Sequence, residues 1–540
     1  MRKFPVHRAL VGGMRALIAA TAVLLALPAA AGAQAQLNGP FPQKTGEMLT
    51  SVPKTHSCTV TVTKDYLFRN TAYGSDPPFR GTLSPPTECP GPWAKVVMTM
   101  SAYVDNGTQF DRLGDVMLGN TEVLHLTTPE GTDATNSWEV NVDVTKYASM
   151  LTSDQPVYFQ LGNQTDGTYT GLFHGTLKFT YYDTAQGTPE GAHADQVLSL
   201  PLKGIGSPKA KDRLSKSFVF PANTTSLKAE LFTSGHGGCE EDWWYDPFVC
   251  EGVPYREIAV YVDGKLGGIA PVYPALFTGG WGPDYWRPIP GPRTYNLRPY
   301  DIDLSPFVGT LTDDAKHKIE VGLLDWTEHP GQGDYWPTAA NLFVEQNPAS
   351  SGRTLGELTS TSGTATPQDS VTGGVGGASA LLTTTHDFGA SGWVEPAGGE
   401  RTTTTVAEHL TANANVVGAA VKSDWTWHNE SKAVTGAHTD LSTADYTYGF
   451  SRGATHFSFV DANSMNRTHD GQSVFSSSLD DEMQTAAPTV GITGLVGGSR
   501  ESWKYQDSTG ICLDHELVSA LQNILSDTLG TTCSTLPARR

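Results

Sequence analysis

Ile258-Ala259-Val260-Tyr261-Val262 is a short run whose β-branched residues fall at alternate positions. A period of two belongs to a strand with one buried face. The same alternation recurs in Val96-Val97-Met98-Thr99-Met100 and in Val140-Asn141-Val142-Asp143-Val144. Pro, Gly, Asn and Asp separate such runs at intervals suited to sandwiches. Helical exceptions are few. A short turn is expected near Tyr147–Thr152, and the Leu, Val and Ile spacing of Leu517–Leu529 predicts an amphipathic helix. Many antiparallel strands with few helices predict an all-β chain of sandwiches or jelly rolls.

Composition divides the chain. Residues 1–35 have a basic head (Arg2, Lys3, Arg8, Arg15), an apolar run from Ala16 to Leu27 and a small-residue close at Ala31-Gly32-Ala33-Gln34-Ala35. This is the pattern of a cleaved secretory signal, and the apolar run is too short to span a bilayer. The protein is therefore expected to be secreted or periplasmic. The remaining 505 residues (540 − 35) are too long for one core. Thr184–Ala194 reads as a Gly/Pro/Ala connection, and 347–380, rich in Ser, Thr and Gly, as a linker. The expected units are 36–190, 191–346 and a β-rich C-terminal domain at 381–540.

A formal charge of −20 argues against nucleic acid and anionic membrane as partners. Six cysteines fall into three sequence-local pairs, so Cys58–Cys89, Cys239–Cys250 and Cys512–Cys533 are the expected bridges. No Cys/His cluster has zinc spacing, and no metal or cofactor is expected.

One stretch combines unusual residue types: Gly235-His236-Gly237-Gly238-Cys239-Glu240-Glu241-Asp242-Trp243-Trp244-Tyr245. Tryptophan-rich runs ordinarily serve cores or interfaces. Here three acids adjoin three aromatics, and Arg256, Trp281, Trp286 and Arg287 follow within a few dozen residues. Acids beside aromatic faces suit a polar, ring-shaped ligand. A second stretch, Gly107-Thr108-Gln109-Phe110-Asp111-Arg112, pairs an acid with a base after a turn.

Taken in order, QFDRLGDVMLGNTEVL (109–124), WEVNVDVTKY (138–147), LGNQTDGTYTG (161–171), GHGGCEEDWWY (235–245), PYREIAVYVDG (254–264), FTGGWGPDYWRPI (277–289) and YDIDLSPFVG (300–309) resemble the peptide N-glycanase A family. The resemblance runs from Cys58 to Val344 and continues more faintly through Trp503-Lys504-Tyr505 and Gly510-Ile511-Cys512 to Cys533. It implies two tandem eight-stranded jelly rolls with a site at their interface, followed by the third domain. It also implies hydrolysis of the bond between asparagine and the innermost N-acetylglucosamine of N-glycosylated peptides or glycoproteins. A monomer is expected. Phe110-Asp111-Arg112 is similar to the Trp-Asp-Arg of the shorter bacterial peptide N-glycosidase F type, and Cys239-Glu240-Glu241 to its Cys-Ala-Glu-Trp. Asp111 and Glu241 are thereby implied as the catalytic acids. The third carboxylate of those relatives falls on Asn141 here, an amide in place of an acid.

A glycosylamide is a poor electrophile with a poor leaving group. Water must be oriented and deprotonated, and the departing nitrogen protonated, which two carboxyls with separated pKa values can do. In this reading Asp111 activates water or assists the nitrogen, while Glu241 holds sugar and water. Arg112 and Arg287 bond the amide oxygen or sugar hydroxyls and stabilise an oxyanion. Trp243 and Trp286 stack on the sugar core, or else pack between domains. His236 touches substrate or braces its loop; Glu240 joins the substrate-binding residues, and Asp334 resembles a site-edge position of the relatives. An endoglycosidase cutting within the chitobiose core also needs two carboxylates. That alternative, and a non-catalytic N-glycan-binding protein, stay open.

Overall fold

The computed structural model describes the chain between Phe41 and Gly530. Outside the described residues lie 1–40, 43, 45–48, 72–75, 106, 131–134, 207–211, 237–255, 272–288, 291–292, 326–334, 364–367, 374–378, 418–419, 436–437, 453–456, 487–495, 508–511, 521–522 and 531–540. What is described is nearly all strand, 65% against 4% helix.

The first nine strands are β1 (Phe41–Pro42), β2 (Ser57–Phe68), β3 (Phe79–Leu83), β4 (Trp93–Val104), β5 (Leu113–Leu118), β6 (Thr121–Thr127), β7 (Asn136–Asp143), β8 (Gln155–Leu161) and β9 (Phe173–Asp183). They make one sheet in the order β1-β7-β4-β9-β2 and another in the order β3-β8-β5-β6. Alternation along β4 and β9 turns Val96, Met98, Met100, Leu177 and Phe179 inward, where they meet Val116, Leu124 and Phe159 of the facing sheet. Cys58 and Cys89 are disulfide-bonded. The expected helical turn is a 3₁₀ turn at Thr145–Tyr147 running into Ala148–Leu151.

Residues 184–195 carry only an isolated bridge between Ala185 and Thr188 before the next sheets begin. Strands β10 (Gln196–Gly206), β11 (Leu214–Phe218), β12 (Thr224–Thr233), β13 (Arg256–Val262), β14 (Lys265–Pro271), β15 (Tyr300–Asp303), β16 (His317–Asp325) and β17 (Tyr335–Gln346) follow. Their sheets run β10-β17-β12-β15 and β11-β16-β13-β14. The alternating Ile258–Val262 run lies in β13, with Ile258, Val260 and Val262 in the core between them.

The two sheet pairs meet along polar contacts as well as apolar ones. Thr121 and Ser199 hydroxyls lie 2.7 Å apart, and the amide of Asn341 on β17 donates to the Glu122 carbonyl at 2.7 Å. Tyr147 and Lys146 both bond the buried carboxylate of Glu230 on β12. Tyr295, from the second half, stacks on Trp138 of the first at 5.4 Å.

Two expectations fail beyond this point. Composition read 347–380 as a linker, yet it contains strands β18 (Leu355–Gly363) and β19 (Gln368–Gly373), each paired with the strand that follows them. Ser and Thr are weak evidence for a loop, because β-branched Thr also suits a pleated surface. Leu517–Leu529 is not a helix. It is divided between β27 (Cys512–Ala520) and β28 (Asn523–Gly530), with Leu517 opposite Glu501 of the preceding strand and fully buried. Spacing that fits a helix stripe was overridden by tertiary pairing: within β27, Leu513, His515 and Leu517 alternate inward.

Between these strands lie β20 (Ser379–Glu395), β21 (Thr402–Val417), β22 (Ala420–Thr435), β23 (His438–Arg452), β24 (Phe457–His469), β25 (Gln472–Ala486) and β26 (Val496–Asp507), all in one long sheet with β18, β19, β27 and β28. This sheet is anchored on the second sheet pair. Phe388, Ala390, Val394, Val406 and Leu410 join the same core as Ile302, Leu304 and Phe307. A buried His386 meets buried Glu257 at 2.6 Å, and the Ile269 amide donates to Glu408 at 2.8 Å.

Candidate active site

Asp111 and Arg112 lie in the connection from β4 to β5, and the sequence stations the anchor just ahead of them. Gln109 is fully buried. Its Nε2 donates to Asn163 Oδ1 at 2.6 Å and to the carbonyls of Gln164 and Gly171 at 2.8 and 3.2 Å. Its Oε1 accepts from the Phe110 amide at 3.0 Å and from Arg112 Nε and Nη2 at 3.1 and 2.9 Å. A buried amide with both ends satisfied is a rigid post. It fixes the planar guanidinium that follows and brackets Asp111 between two held residues.

Phe110 is 44% exposed, and its ring lies 4.8 Å from that of Tyr169. The Arg112 guanidinium carbon stands 5.4 Å from the Phe110 ring and 5.6 Å from the Tyr169 ring, so cation–π attraction adds to the hold. The Tyr169 turn is set by Asp166, which accepts the Thr168 and Tyr169 amides at 2.7 and 2.8 Å. Those two bonds, with the Arg112 charge nearby, keep the Asp166 carboxyl below its usual range. Asp111 itself is half-buried.

On its other side Arg112 is tied to the strand end beyond β6. Its amide donates to Thr128 Oγ1 at 2.8 Å, and the Thr128 amide donates back to the Arg112 carbonyl at 2.8 Å. Three residues earlier, on β6, stands His125. Strand alternation would put Glu122 and His125 on opposite faces. Val123, however, is an extra residue: Val116 pairs Leu124 while Met117 pairs Glu122. This bulge resets the phase and turns both side chains to the face opposite the core. Asp115, directly across from His125, joins them.

All three are buried under the second sheet pair. His125 Nδ1 lies 2.9 Å from Asp115 Oδ1 and 2.8 Å from Glu122 Oε1. Its Nε2 is 2.7 Å from Ser234 Oγ, which in turn is 2.7 Å from His236 Nε2. Burial alone would depress the His125 imidazolium, but Glu122 and Asp115 outweigh it and push its pKa up to about 10. Burial lifts the Glu122 carboxyl to about 7 against the pull of His125. His236, desolvated and facing the His125 charge, is held well below its ordinary value and is neutral.

Of the residues expected at a site, the structure thus links Asp111 and Arg112 to His236 through one strand end and one buried chain. It does not bring Asn141 to them. Asn141 Oδ1 accepts from Thr99 Oγ1 at 2.7 Å, and its carbonyl accepts from Thr50. Thr99 is five residues back along β4 from Val104, the end beside which Gln109 and Gly171 sit. At ~3.3 Å per residue the two levels are about 17 Å apart along the strand. Glu240, Glu241, Trp243, Trp286, Arg287 and Asp334 lie outside the described residues, as do Cys239, Cys250 and Cys533. Cys512 is disulfide-bonded. Sequence reasoning missed Gln109, Asp115, Glu122, His125 and Ser234 as members of the site's support.

Among the described residues, Asp115, Glu122 and His125 offer ligand atoms within 4.8 Å of one another, as do His438, His469 and Asp470. In the first group the charges of imidazolium and carboxylates already account for the approach. His56 with Cys58 and Cys89 also lies close, but a disulfide has no thiolate to offer.

A model of the family described as peptide N-acetyl-β-D-glucosaminyl asparaginase amidase A matches residues 42–363. Among curated proteins, a peptide-N4-(N-acetyl-β-glucosaminyl)asparagine amidase A of Prunus dulcis is 28% identical over 400 residues, covering 68% of this chain and 68% of that one. Among solved structures, a peptide-N(4)-(N-acetyl-β-D-glucosaminyl)asparagine amidase is 16% identical, covers 54% of this chain and 97% of its own, and has a TM-score of 0.38. PNGase F, a glycosylasparaginase from Flavobacterium meningosepticum, is 15% identical with coverages of 54% and 96% and a TM-score of 0.37.

Proposed function

The chain belongs to the peptide N-acetyl-β-D-glucosaminyl asparaginase amidase A family, and from that premise we propose that it hydrolyses the glycosylamide bond between asparagine and the innermost N-acetylglucosamine of N-glycosylated peptides and glycoproteins. Water adds to the asparagine side-chain carbonyl carbon. The carbon–nitrogen bond then breaks, its electron pair leaving on a nitrogen that takes up a proton. The peptide keeps aspartate, and the released glycosylamine exchanges its nitrogen for water as ammonia.

Within this reading Asp111 handles the water or the departing nitrogen, with Glu241 as the second acid on the opposite half of the fold. Arg112 supplies a charge for the developing oxyanion, and a fixed donor is worth most when it need not reorganise during reaction. Its bidentate hold on Gln109 and its place beside two aromatic rings give it that rigidity. Glu240, Trp243, Trp286, Arg287 and Asp334 complete the sugar-binding surface. We read the two sheet pairs as jelly rolls lying side by side, residues 1–35 as an export signal, and the active species as a monomer.

The observation that supports the proposal is the buried chain from His125 through Ser234 to His236, which joins the two sheet pairs three residues from the Thr128 that clasps Arg112. The test is incubation with a defined glycopeptide and mass analysis of both products. Aspartate at the former glycosylation site supports the amidase. An N-acetylglucosamine stub on asparagine indicates an endoglycosidase, and binding without any product indicates a glycan-binding protein.

A further inference from the structure

We propose that Asp115, Glu122, His125 and Ser234 form a positioning relay that fixes His236 in one tautomer and one ring orientation, an inference that rests on the amidase reading above. Four observations carry it.

The relay is directional. A His125 imidazolium has a proton on each nitrogen, so its Nδ1 donates to the carboxylates and its Nε2 donates to Ser234 Oγ. Ser234 has then filled one lone pair, and its own proton points to His236 Nε2. A neutral His236 that accepts at Nε2 must carry its proton on Nδ1. The charge on His125 therefore decides, two hydrogen bonds away, which nitrogen of His236 is a donor.

The relay is also costly to the fold. Two carboxyl groups and an imidazolium sit buried, an arrangement that apolar residues of similar volume would often match or better in stability. Glu122 Oε2 is buried without a hydrogen-bond partner among the described residues. Glu122 is thus held for its effect on His125 rather than for a saturated network. The bulge at Val123 lies between Glu122 and His125 and brings them onto a common face.

The relay joins two halves. Asp115, Glu122 and His125 belong to β5 and β6 of the first sheet pair, while Ser234 and His236 follow β12 of the second. Its location also suits a positioning role. His125 is three residues from Thr128, which clasps the backbone of Arg112, and His236 opens the stretch that contains Glu241. Among the described residues, the charged groups acting on Glu122 are His125 and Asp115, and His125 acts on His236.

The test uses the full chain labelled with ¹⁵N at its histidines, whose ring shifts and long-range couplings distinguish the two tautomers, with His236→Gln to assign the resonance. The wild type should show His236 protonated at Nδ1. Ser234→Ala should abolish that signature and lower kcat on a glycopeptide roughly 10-fold, the lower range for removing an orienting partner, while KM stays within about twofold. Ser234→Thr keeps the hydroxyl and should restore both readings. The proposal is overturned if Ser234→Ala leaves the His236 signature and kcat unchanged, or if the wild-type ring is protonated at Nε2. If the wild type releases no glycan, the amidase reading fails, and the tautomer measurements still decide the relay.

Discussion

His125 Nε2 and Ser234 Oγ are 2.7 Å apart although 109 residues separate them in sequence. One residue sits on β6 of the first sheet pair and the other just past β12 of the second. A hydrogen bond this short between buried groups requires the two halves to dock in a single register. The same docking places the Asp111–Arg112 connection and the root of the Glu241 stretch on either side of one polar seam.

The seam has a pH signature. Glu122 is raised from an ordinary 4.5 to about 7 chiefly by burial, so the folded chain holds its proton more tightly than the unfolded one. Stability from this group is complete below 4.5 and is lost as pH rises through 7. The stability of the wild type relative to Glu122→Gln should therefore decline between pH 4.5 and 6.5, before His125 begins to titrate in the unfolded chain. Denaturant titrations of both proteins across that window check this, and a difference that grows with pH would contradict it.

Gln109 should matter out of proportion to its ordinary appearance in the sequence. Gln109→Ala removes one of two donors from each of the buried Asn163 Oδ1 and Gly171 carbonyl, and frees the Arg112 fork. The expected loss is about 1–3 kcal/mol of stability, together with a fall in kcat as Arg112 loses its fixed aim. Urea unfolding and glycopeptide kinetics measure the two effects separately.

The architecture was more legible in the sequence than the site's support. Alternation in the segments that became β4, β7 and β13 is a local signal, and one buried face imposes it. His125 and Ser234 carry no such signal, because nothing local says that β6 will be covered on both faces. The Glu122–His125 spacing even argues against a shared face until the bulge at Val123 is seen. Leu517–Leu529 misled for the converse reason: helical spacing is a weak prior once a neighbouring strand supplies partners. His236 stands out for its flanking glycines, and Asp111 and Arg112 for their juxtaposition, but the post beside them, Gln109, reads like any polar loop residue.

Asn141 offers a sharp contrast. If it stood in for a carboxylate beside Asp111, Asn141→Glu would move the activity profile to higher pH. With about 17 Å of strand between Asn141 and the Val104 end of β4 beside which Gln109 sits, and a screening length of roughly 8 Å at physiological ionic strength, the profile should stay where it is. The substitution should instead cost the Thr99 bond, about 0.5–1.5 kcal/mol. A shifted kcat–pH curve would return Asn141 to the site.

The long C-terminal sheet is part of the second core rather than an appendage. The family match stops at residue 363, yet Phe388, Val394, Val406 and Leu410 still pack with Ile302 and Phe307. A chain ending at 363 strips those residues away and leaves buried Glu257 without His386. It should lose solubility or melt well below the full chain. Equal melting temperatures by calorimetry would show that the sheet is dispensable to that core.

Asp111→Asn on a defined glycopeptide is the most direct measurement of the central claim. The change keeps the shape of the side chain and removes its charge and proton transfer. Product masses and rates should show turnover down by roughly 10²–10⁴-fold, with glycopeptide affinity retained in equilibrium binding. Glycan release by Asp111→Asn at the wild-type rate, with aspartate in the product, would contradict the assignment of Asp111 as a catalytic acid.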